Sequence, residues 1–236
     1  MDGIMRIKLF ADGAYHEEIL KMAKDPRIKG FTTNPTLMQN AGITDYEAFA
    51  REILAAVPYR PFSFEVFSDE FNEMERQAKL IAAWGPNVYV KIPITNTRRE
   101  SSIPLIKRLV EERIKLNVTA VMTADQVRNV CWELMGGPPS IVSVFAGRIA
   151  DTGRDPIPIM EAAKRWTATE PNVELLWASP REALNIYQAE AVGCEIITIT
   201  PPLLHKLDLA NKNLDDYSLE TVQMFRRDAV QAGFVL

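Results

Sequence analysis

Short apolar runs alternate with longer segments of helical period along almost the whole chain. The runs are rich in β-branched and aromatic residues, which favours extended strands. Between them, apolar residues recur every three and four positions, which is typical of amphipathic helices. The eight predicted strands are Ile7–Ala11, Gly30–Thr33, Phe62–Phe67, Val88–Ile92, Ile114–Thr119, Ile141–Phe145, Glu174–Ala178 and Glu195–Thr200.

Several predicted helices carry a start signal. Asp45 and Thr123 precede helical segments as N-caps, and Pro104 and Pro180 suit a first turn. A last helix, Ser218–Ala232, follows the eighth strand. The helices predicted between strands are Glu17–Lys24, Tyr46–Ala56, Asn72–Ala83, Ile103–Glu112, Ala124–Leu134, Ile157–Trp166 and Pro180–Glu190.

This repetition predicts the fold. Each connection is too long for a hairpin, so the strands should run parallel. Eight repeats indicate an α/β protein, a single (β/α)8 TIM barrel over residues 1–236, with an additional C-terminal helical extension over residues 202–236 that packs on the barrel or on a neighbouring subunit. The alternative is an open doubly wound sheet, which requires a glycine-rich phosphate turn after its first strand. Here that turn reads Ala11-Asp12-Gly13-Ala14, which lacks the glycine-rich motif, so the barrel is favoured.

Several strands begin apolar and carry polar side chains near their ends. A period of two puts Asn117 and Thr119 on one face, which should line the barrel lumen near the carboxyl ends of the strands. Single buried hydroxyls are usually structural, but charged residues are almost never buried unpaired. We therefore interpret Asp12, Glu65, Lys91 and Asn117 as a functional set. The same phase relates Thr32 to Asn34, Ser63 to Glu65, Ser143 to Phe145, and Thr198 to Thr200.

Composition narrows the function. The 236 residues carry a formal net charge of −4, which argues against a nucleic-acid partner but not against a small anion. Two histidines exclude a His-rich metal site, and two cysteines imply no disulfide framework. We expect neither metal nor cofactor. Charge returns at Lys8 before an export signal could form, and no apolar run approaches the roughly 18 residues of a membrane span. We therefore expect a cytoplasmic protein with no membrane partner.

Lys91 lies in the apolar segment Val88–Ile94, so its amine should be partly desolvated. Such an amine is a nucleophile and can form a Schiff base with a ketone. The protonated imine is an electron sink, which permits carbon–carbon cleavage without a metal. The alternative is a lysine that extends from the strand end to solvent. Considered alone, the segment leaves both interpretations open.

The other polar strand ends fit imine chemistry. Glu65, through a water, could move protons during carbinolamine dehydration, and Asp12 could accept the proton of a substrate hydroxyl. Asn34 and Asn117 could hydrogen-bond substrate hydroxyls. Thr119 could hold the water near Glu65.

Two arginines, Arg148 and Arg181, follow the sixth and seventh strands and could converge on an anion. The guanidinium fork matches phosphate, and Ser179 with the first amides of the following helix would add donors. The alternative is that Arg181 pairs at the surface with Glu182 or Glu190. Phosphate sites near the last strands are frequent in such barrels, which favours a phosphate clamp.

With these motifs, the chain resembles the transaldolases, specifically the small-subunit group that also includes the fructose-6-phosphate aldolases. The matches run in order from Asp12 to Arg181 and cover most of the chain. They comprise Gly30-Phe31-Thr32-Thr33-Asn34-Pro35-Thr36, Val90-Lys91-Ile92-Pro93 with Thr95, Asn117-Val118-Thr119, Ser143-Val144-Phe145-Ala146-Gly147-Arg148 and Ala178-Ser179-Pro180-Arg181.

The resemblance implies a class I aldolase mechanism with the imine on Lys91. A dihydroxyacetone unit would move from donors of the sedoheptulose 7-phosphate or fructose 6-phosphate type to an aldose phosphate, as in the pentose phosphate pathway. It also implies a homo-oligomer, a pentamer or decamer formed through the C-terminal helix. The residues implied for catalysis are Lys91, Glu65, Asp12 and Thr119, and those implied for substrate binding are Asn34, Thr33, Asn117, Ser143, Phe145, Arg148, Ser179 and Arg181.

Two positions separate the subgroups of this family. Transaldolases tend to carry Glu and Phe where Glu65 and Phe145 stand, whereas aldolases that release free dihydroxyacetone tend to carry Gln and Tyr. Both residues favour a transaldolase. Three alternatives stay open: a fructose-6-phosphate aldolase-type enzyme, a phosphosugar isomerase or epimerase without a covalent step, and a non-catalytic sugar-phosphate sensor.

Overall fold

The computed structural model describes residues 5–235. Eight parallel strands close into a barrel in chain order, with the last strand hydrogen-bonded to the first. The predicted (β/α)8 barrel is therefore confirmed. The strands are β1 (Lys8–Asp12), β2 (Ile28–Thr32), β3 (Phe62–Glu65), β4 (Val88–Pro93), β5 (Leu116–Val121), β6 (Ser140–Val144), β7 (Val173–Trp177) and β8 (Ile196–Ile199).

Helices connect the successive strands, and two more follow β8. A 3-10 turn at Leu207–Leu209 separates these last two. The helices are α1 (His16–Ala23), α2 (Pro35–Asn40), α3 (Tyr46–Ala56), α4 (Phe71–Ala82), α5 (Ile103–Glu111), α6 (Ala124–Leu134), α7 (Ala146–Asp151), α8 (Ile157–Thr167), α9 (Leu184–Val192), α10 (Pro201–Lys206) and α11 (Leu214–Gln231).

The sequence signals locate most elements closely, and every predicted strand overlaps an observed one. The side chain of Asp45 accepts a hydrogen bond from the Ala48 amide, and Thr123 forms a capping box with Gln126. Both predicted N-caps are thus confirmed. The short helices α2 and α7 were not predicted, because six residues are too few for a helical period to be recognised.

The helix predicted over Pro180–Glu190 is wrong at its start, since α9 begins only at Leu184. Ser179 has a left-handed φ of 58°, which turns the chain away from β7. The Asn185 side chain then accepts the backbone N–H of Arg181 and of the next residue. These contacts hold the segment as a turn. The helix amides predicted directly after Ser179 are therefore not found there.

Two apolar clusters support the barrel. The larger lies between the sheet and the helices, and the smaller fills the lumen around Phe10, Leu176 and Ile196. A Cβ added at Gly30 would lie 2.5 Å from the Phe10 ring, so this glycine makes room for the aromatic side chain. Asp12 follows Phe10 by two residues on the same strand. The polar part of the lumen therefore lies beyond this apolar plug, toward the carboxyl ends of the strands.

The C-terminal helix α11 lies largely in solvent. It starts earlier than the predicted Ser218–Ala232, because Asn213 caps it by accepting two backbone N–H groups of the first turn. None of its 18 residues is buried, and Val222 and Phe225 are 60% and 63% exposed. Its apolar side chains thus contribute little to the core of the described chain. Over residues 5–235, no helix has the length and apolarity needed to cross a bilayer.

Candidate active site

A cavity of about 440 Å³ opens at the carboxyl ends of the barrel strands. This is the end at which barrel enzymes carry their chemistry. It brings together all the residues selected from the sequence except Thr33 and Arg181. Those that line it are Asp12, Asn34, Glu65, Lys91, Asn117, Thr119, Ser143, Phe145, Arg148 and Ser179.

Lys91 and Glu65 form a largely buried ion pair in this cavity. They are register partners on β4 and β3, and the Lys91 Nζ lies 2.9 Å from the Glu65 Oε2. The ammonium also donates to the carbonyl of Thr33 at 2.8 Å. The two side chains are only 8% and 17% exposed. Lys91 therefore does not extend to bulk solvent, and that interpretation of the sequence is wrong.

Tyr46, which no sequence motif marks as a site residue, holds the backbone that carries Glu65. Its hydroxyl oxygen accepts the Glu65 N–H at 2.8 Å and donates to the Glu65 carbonyl at 3.1 Å. The β2–β3 ladder ends at the pair Thr32–Ser63, so the hydroxyl takes the place of a strand partner. Burial raises the pKa of Tyr46, which keeps its hydroxyl protonated and able to donate. No local signal in the sequence indicates this contact.

Asp12 lies at the end of β1 and accepts a hydrogen bond from the Thr32 hydroxyl at 2.8 Å. Burial raises the pKa of Asp12, because desolvation disfavours the charged carboxylate. The Lys91 charge and the Thr32 hydrogen bond lower this pKa, and the Glu65 charge raises it further. A carboxylate with a raised pKa is a stronger base near neutral pH than an ordinary aspartate.

Thr32 also contacts Thr198, which lies on β8. Both side chains line the cavity, and they are 3% and 7% exposed. The sequence places each of them on the lumen face of its strand but does not connect them. The contact exists because barrel closure puts β2 and β8 on either side of β1.

The Asn117 amide is held from both sides. Its Nδ2 donates to the Ser63 hydroxyl at 3.0 Å, and its Oδ1 accepts from Ser143 at 2.6 Å. The three side chains are buried, so the amide keeps one orientation. Asn34 caps α2, since its Oδ1 accepts the Leu37 N–H. Ser63 was not predicted as a site residue, although its phase matches that of Glu65.

Two buried threonine hydroxyls, those of Thr33 and Thr119, have no hydrogen-bond partner within residues 5–235. Thr119 is 2% exposed and lines the cavity, whereas Thr33 contributes its carbonyl to Lys91. A buried hydroxyl of this kind is a site for an ordered water or a ligand atom. This environment suits the water-holding role expected for Thr119.

The predicted phosphate clamp is only partly assembled. Arg148 and Ser179 line the cavity, and the Arg148 guanidinium lies 5.6 Å from the centre of the Phe145 ring. Arg181 instead pairs with Asp151, its Nε donating to the Oδ1 at 3.1 Å. The clamp favoured from the sequence therefore lacks Arg181, which forms a surface pair as in the alternative, but with Asp151 of α7 rather than with Glu182 or Glu190. Of the two predicted arginines, Arg148 alone faces the cavity.

Gly147 permits a close approach between the segments that carry Arg148 and Ser179. A Cβ at this position would lie 1.5 Å from the Ser179 carbonyl oxygen. The Gly147 amide also donates to the Ala178 carbonyl at 3.3 Å. Only glycine fits such an approach of two backbones.

The cavity thus offers an amine, two carboxylates, a guanidinium and several amide and hydroxyl groups. This set can attack a carbonyl, move protons and bind an anionic, hydroxyl-rich molecule. In the described part of the chain, no three His, Cys, Asp or Glu side chains are grouped so that they could hold a metal ion.

Two solved barrel structures resemble this fold at low sequence identity. Dihydrodipicolinate synthase from Rhodopseudomonas palustris matches with a TM-score of 0.54 and 13% identity, covering 81% of this chain and 69% of that chain. 3-hexulose-6-phosphate synthase from Salmonella typhimurium matches with a TM-score of 0.58 and 12% identity, covering 84% of this chain and 91% of that chain. At these identities the likeness concerns the fold alone.

Sequence relatives are more informative. The Carboxydothermus hydrogenoformans protein named "Probable transaldolase" is 34% identical over 194 residues, which is 82% of this chain and 86% of that protein. A protein of the same name from Dehalococcoides mccartyi is 32% identical over 202 residues, covering 85% and 90%. "Probable transaldolase 2" of Listeria monocytogenes is 31% identical over 217 residues, covering 89% and 94%. The family model described as "Transaldolase/Fructose-6-phosphate aldolase" matches residues 9–235. The chain therefore belongs to the transaldolase/fructose-6-phosphate aldolase family.

Proposed function

We propose that this protein is a transaldolase that forms a Schiff base on Lys91 and transfers a dihydroxyacetone unit from a ketose phosphate to an aldose phosphate. Donors are of the sedoheptulose 7-phosphate or fructose 6-phosphate type. The observation that carries the proposal is the largely buried pair of the Lys91 ammonium and the Glu65 carboxylate, 2.9 Å apart in the cavity. Membership of the family supports the reaction class.

Imine formation begins with transfer of a proton from Lys91 to Glu65, which frees the amine lone pair. The amine attacks the ketone, so that a carbon–nitrogen bond forms and the carbonyl π pair moves to oxygen. Glu65 gives a proton to that oxygen and takes one from nitrogen, which yields the carbinolamine. A second proton from Glu65 lets the hydroxyl leave as water, held near Thr119, and the protonated imine remains.

Cleavage follows at the carbon–carbon bond between the carbons α and β to the imine carbon. Asp12 accepts the proton of the substrate hydroxyl on the carbon that will leave, and that carbon becomes an aldehyde. The electron pair of the broken carbon–carbon bond moves toward the iminium nitrogen of Lys91 and forms an enamine. An aldose phosphate then replaces the first aldehyde, and the same steps run in reverse.

The remaining groups bind the substrate. The amides of Asn34 and Asn117 hydrogen-bond sugar hydroxyls, assisted by Ser143, while Arg148 and Ser179 bind the phosphate. Charge-assisted hydrogen bonds to a guanidinium are among the strongest available for that purpose.

We also propose that the protein is a homo-oligomer, because α11 exposes a series of apolar side chains that include Val222 and Phe225. Light scattering should give a mass that is a multiple of the 26.6 kDa chain, a pentamer or decamer by family resemblance. A monomer at micromolar concentration would contradict this.

Borohydride trapping tests the imine. Incubation with fructose 6-phosphate and sodium borohydride should leave a reduced adduct on Lys91, located by peptide mass spectrometry. Lys91→Met should show no adduct, and the exposed Lys107 should stay unmodified in both proteins. If the wild-type protein gives no adduct, the covalent mechanism is wrong, and a non-covalent isomerase with Glu65 and Asp12 as bases takes its place.

A second assay separates the two activities of the family. With fructose 6-phosphate as donor, we expect transfer to an added aldose phosphate to exceed the release of free dihydroxyacetone. Glu65 and Phe145 occupy the two positions that favour transfer by family resemblance. Dominant release of free dihydroxyacetone would assign the protein to the aldolase group instead.

A further inference from the structure

Two threonine hydroxyls form a one-way chain of hydrogen bonds to Asp12. The Thr32 Oγ1 donates to the Asp12 Oδ1 at 2.8 Å and contacts the Thr198 Oγ1. A threonine hydroxyl has one proton to donate. When Asp12 is ionised it can only accept, so Thr32 gives its proton to the carboxylate, and the contact between the two hydroxyls is then donated by Thr198. The chain therefore runs from β8 to β2 and then to β1.

Register separates Thr198 from Asp12 along β1. Thr32 is the register partner of Asp12, whereas Thr198 is the partner of Phe10, two residues earlier on β1. Thr198 is thus offset from Asp12 by two residues toward the start of β1, and it lines the cavity with 7% of its surface exposed. Its hydroxyl is largely shielded from water and contacts Thr32.

Asp12 needs this support because its surroundings act in opposite directions on the carboxylate. Burial and the Glu65 charge on β3 disfavour the ionised form, whereas the Lys91 charge on β4 favours it. Arg148 of α7 is a further cation in the same cavity. Linked hydroxyls polarise one another, so a Thr32 that itself accepts a hydrogen bond is a stronger donor to the carboxylate.

We propose that Thr198 is a positioning residue for the proton transfer made by Asp12, acting through Thr32. The proposal rests on the proposed function of Asp12 as the base. It adds a residue of the last strand that neither supplies nor accepts the transferred proton. Without the Thr198 hydroxyl, Thr32 loses a contact that fixes its rotation, and its hydrogen bond to the carboxylate becomes weaker and less well oriented.

The test compares Thr198→Val, which removes the hydroxyl at nearly equal volume, with Thr198→Ser, which keeps it. Thr198→Val should lower kcat about 10-fold and leave KM within about 2-fold, because the substrate contacts persist. The acid limb of its pH profile should move to higher pH, because a Thr32 hydroxyl that no longer accepts a hydrogen bond is a weaker donor, which raises the pKa of Asp12. Thr198→Ser should recover most of kcat and the wild-type limb. Borohydride trapping on Lys91 should persist in both variants.

A double-mutant cycle with Asp12→Asn gives the decisive control. With no carboxylate to stabilise, adding Thr198→Val should change the residual rate by less than about 2-fold. The proposal is overturned if Thr198→Val keeps the wild-type acid limb, if Thr198→Ser is impaired as much as Thr198→Val, or if the two losses are additive.

Failure of the proposed function is recognised separately, by the absence of a borohydride adduct on wild-type Lys91. In that case the hydrogen-bond chain from Thr198 through Thr32 to Asp12 is tested without turnover, by NMR titration of the Asp12 carboxyl in the ligand-free protein. The pKa of Asp12 should be higher in Thr198→Val than in the wild type. An equal pKa of Asp12 in the two proteins would overturn the proposed role of Thr198.

Discussion

The hydroxyl of Tyr46 on α3 makes two hydrogen bonds with the backbone of Glu65 at the end of β3. It satisfies an N–H and a carbonyl that the β2–β3 ladder no longer reaches. The position of the Glu65 carboxylate beside Lys91 therefore depends on a helix that precedes the strand in the chain. An aromatic contact with Trp84, at a ring separation of 5.5 Å, holds Tyr46 in place.

Replacing Tyr46 with Phe should therefore lower the free energy of unfolding by about 1–3 kcal/mol, because two buried backbone groups of Glu65 lose their partner. Urea denaturation monitored by circular dichroism measures the change. Tyr59→Phe is the matched control, since Tyr59 is 96% exposed and its hydroxyl lies at the surface. Equal unfolding midpoints for Tyr46→Phe and the wild type would contradict the proposed support.

The ionisation of Asp12 should set the acid limb of the profile of kcat against pH. Its pKa is raised above the ordinary 3.8 by burial, and it acts as a base only when ionised. We expect kcat to fall as the pH drops through this raised pKa. Asp12→Asn should lower kcat by about 10²–10⁴-fold and remove the limb. A limb that persists unchanged in the variant would assign it to another group.

The raised pKa of Asp12 also makes the stability of the folded protein depend on pH. Because the folded state binds the Asp12 proton more tightly than the unfolded state, the contribution of this group is fully present below pH 3.8 and is lost as the pH rises through the raised pKa. Asp12→Asn, which stays neutral, should therefore melt about 1–4 °C above the wild type at pH 7. The gain should disappear toward pH 4. A lower melting temperature at pH 7 would mean that the Lys91 charge outweighs desolvation.

Gly30 should tolerate no side chain. A Cβ there would lie 2.5 Å from the Phe10 ring inside the lumen, so Gly30→Ala should destabilise the barrel by about 1–3 kcal/mol. Gly13→Ala is the control, because nothing lies within 4 Å of a Cβ at that position. Phe10→Leu should restore part of the lost stability in the Gly30→Ala background. Additive losses in the double variant would show that the two residues do not compete for this space.

Arg148 should bind the substrate phosphate more directly than Arg181. Arg148→Met should raise KM for fructose 6-phosphate about 10- to 100-fold and leave KM for an unphosphorylated donor unchanged. Arg181→Met should have a much smaller effect, since its guanidinium is paired with Asp151. Equal increases for the two variants would mean that Arg181 leaves Asp151 when phosphate binds, which restores the clamp expected from the sequence.

Much of the site could be predicted because its determinants are local. The period of two along each strand is enough to put Glu65, Lys91 and Asn117 on the lumen face, whatever the details of packing. Helix ends such as Asp45 and Thr123 were found for the same reason, since a cap bonds to amides two or three residues away. The turn after Ser179 was missed, because its left-handed φ has no glycine or asparagine to mark it.

The sequence by itself determined the barrel and the end of the barrel at which the polar side chains gather, because strand and helix periods are properties of neighbouring residues. Only the tertiary structure settled which side chains meet. Thr198 reaches Thr32 because the barrel closes, Tyr46 reaches Glu65 because α3 packs over a shortened ladder, and Arg181 reaches Asp151 because β7 is followed by a turn. Such contacts join residues distant in the chain, and they depend on packing geometry and rotamers that no local pattern records.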